Sequence, residues 1–131
     1  MDKVSEIAGR ITDTELELME IVWDISETEP PVTVKKLRLA AEARLKWKDG
    51  ITKTLLSRLT TKEAVTAEKH EVFYYTPNIS REQYRRYFAN RVIDRLFGGS
   101  AKRLAASLVE SDRLTAEDIA ELQAMFDDDV D

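Results

Sequence analysis

The sequence predicts a mainly α fold carrying one small β-hairpin, an α+β arrangement. Three observations predict it. Apolar residues recur at helical spacing in six separate segments, two β-rich runs stand side by side in mid-chain, and Pro30-Pro31 and Gly98-Gly99 punctuate the helical stretches. At 131 residues, with 43% apolar and 34% charged side chains, the composition is that of one globular domain or two small ones sharing an interface.

Residues 1–10 show no periodicity and are expected to form a flexible arm. Thr12 with Glu15 three residues later is a capping-box signal, and Leu16, Met19, Val22 and Trp23 follow at helical spacing. This first expected helix should end near Ile25, ahead of Ser26–Glu29 and the Pro30-Pro31 stop. Val32 is a lone apolar residue able to add a very short strand. Thr33 caps a second helix with Leu37, Ala40, Ala41 and Leu45 facing inward. Trp47-Lys48-Asp49-Gly50 breaks the pattern, and Asp49 is placed to cap a third helix reaching about Lys62. Written as a helix, that segment puts Ile51, Leu55 and Leu59 on one stripe with Leu56 beside them. Lys53, Thr54, Ser57, Arg58 and Thr61 fall away from it. The β-rich runs Val65 to Lys69 and Val72 to Thr76 are separated by His70-Glu71, which predicts a hairpin despite a poor turn pair. Three helices and a hairpin over 11–78 make a winged helix-turn-helix.

The second half, 79–126, is helical. Ser80 with Gln83 opens a helix whose stripe is Tyr84, Tyr87, Phe88, Val92 and Leu96, ended by Gly98-Gly99. Ser100 caps the next, lined by Ala101, Leu104, Ala105 and Leu108. Thr115 with Asp118 opens the last, carrying Ile119, Leu122, Met125 and Phe126. Three short helices are a meagre core for a free-standing domain, and pairing them across a two-fold axis buries their apolar faces. A homodimerisation unit is therefore expected; the alternative is that they fold back on the first half. Arg85, Arg86, Arg91 and Arg95 are assigned to an outer face, available to a partner subunit or to DNA flanks. Residues 127–131 read as a solvated acidic tail.

Composition also excludes chemistry. No apolar run approaches the roughly 18 to 20 residues that span a bilayer, and no signal-peptide pattern begins the chain, so a cytoplasmic protein without membrane insertion is expected. Zero cysteines remove disulfides, thiolate metal sites and a cysteine nucleophile. His70 is the only histidine, too little for a metal site or a catalytic triad. There is no Gly-rich phosphate loop and no zinc-protease helix. Neither catalysis nor a cofactor nor a metal is expected.

The charge distribution points elsewhere. The chain carries −5, yet Lys35 to Lys69 holds ten Lys or Arg against four acids, a local +6 that leaves −11 on the remainder. A basic block with Lys, Arg and small hydroxyls on one helix face suits the major groove of double-stranded DNA. The expected contacting set is Lys48, Thr52, Lys53, Thr54, Ser57, Arg58 and Lys62. Within it Lys53, Thr54 and Ser57 are assigned to base edges, and Arg58 and Lys48 to phosphate. Two other classes stay open: a protein-interaction module that has lost DNA binding, and a small-molecule-sensing regulator with Tyr84, Tyr87 and Phe88 at a dimer cleft.

Four runs carry a family resemblance over roughly Ile11 to Phe126. Thr14–Trp23 resembles the first helix of the BlaI/MecI/CopY (penicillinase repressor) family, and Trp47–Leu59 its recognition segment, most of all in the CopY-type branch. Phe73–Pro77 resembles the wing strand, and Phe97–Gly99 the break between dimerisation helices. The resemblance implies a bacterial homodimeric repressor of palindromic operators, relieved in one branch by a sensor-triggered proteolysis and in the other by copper. This chain departs from both: it lacks the cysteine-rich hook, and Ser107-Leu108 stands where cleaved members have Asn-Phe. Neither release route is carried over, and a possible sensor or protease partner stays unknown. The turn His70-Glu71 also lacks the family's Gly-Arg, and Ile51 stands where relatives often have Thr.

Overall fold

The computed structural model describes residues 2–128. Within them run α1 (Lys3–Arg10), α2 (Asp13–Thr28), α3 (Val34–Leu45), α4 (Asp49–Thr61), β1 (Val65–Lys69), β2 (Phe73–Pro77), α5 (Arg81–Leu96), α6 (Ala101–Glu110) and α7 (Ala116–Asp128). The chain divides into two compact units, the first ending at Phe88 and the second starting at Ala89. The division falls inside α5, whereas the pattern break had suggested 78/79. Ile79 and Tyr84 are buried in the core of the first unit, which draws the start of α5 into it.

The expected flexible arm at 1–10 is corrected: it holds a helix. Asp2 accepts the Ser5 amide at 2.7 Å as N-cap, and Val4, Ile7, Ala8 and Ile11, spaced as one helical stripe, pack into the core. The capping box of α2 forms as expected, Thr12 Oγ1 accepting the Glu15 amide at 3.2 Å and Glu15 accepting the Thr12 amide at 2.9 Å. Leu18, Met19, Ile21, Val22 and Trp23 of α2 are buried against Leu37 and Ala41 of α3 and Leu55, Leu56 and Leu59 of α4. Helix α2 continues past Ile25 to Thr28, whose hydroxyl donates to Asp24 O at 2.7 Å.

Thr33 caps α3 as expected, and Lys46 ends it in a left-handed conformation, φ 59°. Asp49 does not cap α4. Lys48 occupies the N-cap without a side-chain bond, and Asp49, one residue inside, is held by an ion pair with Arg38. The hairpin pairs Lys69 with Phe73, so its connection is three residues, His70-Glu71-Val72, rather than two. His-Glu lacks the glycine or asparagine that a two-residue turn demands, and Val72 is drawn into the loop, where its carbonyl accepts the His70 amide at 3.0 Å. Val32 adds a single bridge, accepting the Tyr75 amide at 2.9 Å.

In the second unit Gly98 and Gly99 take φ of 57° and 83°, and the Gly99 amide closes α5 on Ile93 O. Ser100 caps α6, and Thr115 and Asp118 cap α7 reciprocally. Helix α6 buries no residue. Of the acidic tail expected at 127–131, Asp127 and Asp128 extend α7, and 129–131 lie outside the described residues. Among the described residues no helix is long and apolar enough to cross a membrane, and no group of His, Cys, Asp or Glu is arranged to hold a metal ion.

Candidate nucleic-acid interface

Helix α4 buries Thr52, Leu55, Leu56 and Leu59 and exposes Ile51, Lys53, Thr54, Ser57, Arg58 and Thr61. Two expectations need correction. Ile51 is not on the packed stripe but 43% exposed, and Thr52 is 1% exposed and therefore unavailable to a ligand. At 100° per residue, Thr52 lies within about 15° of the mean direction of the three leucines and Ile51 about 90° from it. Geometry outranks hydrophobicity here, and the Thr52 hydroxyl has no hydrogen-bond partner among the described residues.

The ten cations of the basic block separate into two groups. Four are engaged internally: Lys36 donates to the carbonyls of Glu29 and Pro31, Arg38 pairs with Asp49, Arg44 with Asp24, and Lys62 with Glu15. The other six, Lys35, Lys46, Lys48, Lys53, Arg58 and Lys69, are exposed and make no ion pair among the described residues. An unpaired ammonium or guanidinium keeps all its donors for an external anion.

Lys62 was expected among the contacting residues, and its placement corrects that. Its Nζ donates to both carboxylate oxygens of Glu15 at 2.7 and 2.8 Å and to Arg10 O at 3.0 Å. Glu15 is 1% exposed. Burial pushes its carboxyl up, but the Lys62 ammonium and the Thr12 amide outweigh this and hold it below the usual carboxylate range. Lys62 thus closes the end of α4 onto α1 and α2, and its donors are taken.

The start of α4 is open in the opposite sense. With no side-chain cap, its first amides carry the partial positive charge of a helix N-terminus beside exposed Lys48 and Lys46. Trp47, half-buried, packs against the core between these two lysines. On its other side α4 borders a groove of about 410 Å³, with Lys53, Ser57 and Thr61 on one wall and Ala67, Phe73 and Tyr75 of the hairpin on the other. At the hairpin tip His70 stacks on Tyr74 at 4.2 Å and lies 3.4 Å from Glu68, leaving Lys69 unpaired. Ile51, Lys46, Lys35 and Lys69 were absent from the expected set. The repeat 51, 54, 58, 61 was the sequence signal for Ile51 and Thr61.

The residues expected at a dimer interface are divided. Tyr84 is buried in the first unit, its ring 6.0 Å from Trp23, and Tyr87 packs against the same core. Those two are corrected to intrachain core residues. Phe88, Leu96, Leu108, Ile119, Leu122, Met125 and Phe126 are exposed in the single chain, while Val92 and Leu104 are half-buried.

A three-helix core with a hairpin, whose last helix turns an unpaired cationic and hydroxylic face outward, defines a winged helix-turn-helix protein of the kind that reads duplex DNA. The chain belongs to the penicillinase repressor family, which it matches over residues 11–128; α1 lies ahead of that stretch. It is 29% identical to the penicillinase repressor of Bacillus licheniformis over 120 residues, 91% of each chain. Its identity to the penicillinase repressor of Staphylococcus aureus is 25% over 122 residues, 90% of this chain and 91% of the relative. The solved DNA-binding domain of the repressor BlaI is similar with a TM-score of 0.50 at 29% identity, covering 64% of this chain and 94% of that one.

Proposed function

We propose that this protein is a homodimeric repressor that occupies a palindromic operator and excludes the transcription machinery from a promoter. The observation that carries the reading is the outward face of α4. Lys53, Thr54 and Ser57 stand exposed for base edges, while Arg58, Lys48 and Lys46 flank them for phosphates. Two such helices related by a two-fold axis would enter successive major grooves. Dimerisation is supported by the second unit, where Leu96, Met125 and Phe126 remain 74%, 64% and 71% exposed in the single chain. A regulator sensing a small molecule through Tyr84 and Tyr87 is disfavoured, because both rings pack against the core of the first unit.

Selection of binding sites from random duplex DNA, followed by titration of the best site at several salt concentrations, tests the proposal. Enrichment of a palindrome whose affinity falls steeply with salt is the expected result. No enrichment at low salt, from protein folded and dimeric, would overturn it in favour of a protein-interaction module.

A further inference from the structure

Ile51 is the third residue of α4, and its side chain is exposed while Leu55, Leu56 and Leu59 of the same helix are buried. A lone exposed isoleucine is ordinary on a protein surface. The company it keeps here is not. At 100° per residue it lies about 20° from Arg58 and about 60° from Thr54 around the helix, and exposed Lys46 and Lys48 precede it in the chain. The side chain is also held ready for contact. The Ile51 amide donates to Lys48 O at 3.0 Å, which closes the first turn. A β-branched residue in a helix has one strongly preferred rotamer, so little side-chain freedom is lost when a ligand meets it.

Cations on this face neutralise phosphate and bring the first turns of a recognition helix against base edges. An aliphatic side chain there loses its water whichever base it meets. Opposite the acceptors of guanine or the amino group of cytosine, it covers polar groups without replacing their hydrogen bonds, which is unfavourable. Opposite thymine it meets the 5-methyl group, the one apolar substituent that the four bases present in the major groove.

We infer that Ile51 reads thymine: its branched side chain packs on the 5-methyl group of one thymine in each half-site and disfavours a G·C pair in that place. This rests on the reading of α4 as the DNA-contacting helix proposed above. It adds to Lys53, Thr54 and Ser57 a contact that uses no hydrogen bond, and that difference makes it separately measurable.

The test uses full-length protein and the duplex that the wild type selects. Each thymine is replaced in turn by deoxyuridine, which keeps every hydrogen-bonding group and lacks only the 5-methyl. At one thymine per half-site the replacement should weaken wild-type binding about fourfold, the roughly 0.8 kcal/mol of one buried methylene-sized group. Ile51→Ala should bind the thymine duplex at least about fourfold more weakly than wild type does, and should not distinguish thymine from uracil at that position. Ile51 lies outside the core and alanine is the better helix former, so this variant is expected to fold. Ile51→Ser carries the same expectation should it not. If no thymine replacement affects wild type, or if the variants keep the full uracil penalty, the inference is overturned while the reading of α4 stands. If wild type binds no duplex selectively, the reading of α4 falls, and the thymine contact with it.

Discussion

Replacing Lys62 by Met tests whether this residue braces the fold or contacts DNA. The substitution keeps the aliphatic stem and deletes the ammonium that serves both oxygens of Glu15 and the Arg10 carbonyl. Glu15 is 1% exposed, so its carboxylate is left buried without a counter-charge, a change that costs about 3–5 kcal/mol. Lys62 is itself 27% exposed and water can replace part of what it supplied, which places the expected loss at about 3 kcal/mol at pH 7. For a unit of this size that is a fall in Tm of roughly 12–24 °C. The pH dependence follows from the carboxyl. In the native protein it is held below its ordinary 4.5, so its contribution is present above that value and is lost as pH falls through the lowered one. In the variant the main lowering contact is gone and burial raises the group, so acid relieves the defect instead of creating it. The difference between the two proteins should therefore be smaller near pH 3.5 than at pH 7. Urea unfolding followed by circular dichroism at both pH values measures this, and operator titrations at a temperature where both are folded should give equal salt slopes. A destabilisation under about 1 kcal/mol together with a slope reduced by about 0.9 would show Lys62 to be a phosphate contact and refute the reasoning.

Thr52→Val removes a buried hydroxyl that has no partner while keeping its shape, and should leave stability unchanged or raise it by about 1 kcal/mol with DNA affinity intact. Weakened binding at constant fold in titrations of the same duplex would return Thr52 to the contacting set. Lys53→Ala should relax sequence choice at one base position by about 1–3 kcal/mol, read by repeating the site selection. Arg58→Ala should instead weaken all sequences alike and lower the salt slope by about 0.9. Phe126→Glu places a charge on the exposed apolar face of the second unit and should weaken self-association by about 2 kcal/mol or more in sedimentation equilibrium. An unchanged mass would remove α7 from the interface.

Local chemistry was the legible part of this fold. Thr12 with Glu15, Thr33, Ser100, and Thr115 with Asp118 all cap the helices their spacing announces, because a cap is a bond between neighbours three residues apart. Less legible were features that depend on remote partners. Helix α1 is only eight residues long and exists by packing Ile7 and Ala8 into the core, although its stripe of Val4, Ile7, Ala8 and Ile11 and the Asp2 cap were present to be read. The phase of α4 was misjudged because isoleucine outranks threonine in hydrophobicity, while the angular position of Thr52 among three leucines decides which is buried. Lys62 could not be resolved from sequence at all: its partner lies 47 residues away, and a lysine at the end of a basic helix looks the same whether it faces phosphate or a buried glutamate.

The six unpaired cations have a kinetic meaning as well. They sit in a segment of net +6 while the rest of the chain carries −11, so positive charge is concentrated locally in a chain that is negative in total. A duplex meeting the cationic segment is drawn in despite the negative total. Diffusional encounters are thereby filtered by orientation before any base is touched. For a protein whose overall charge opposes DNA, this local concentration favours collisions that begin with the cationic segment facing the duplex.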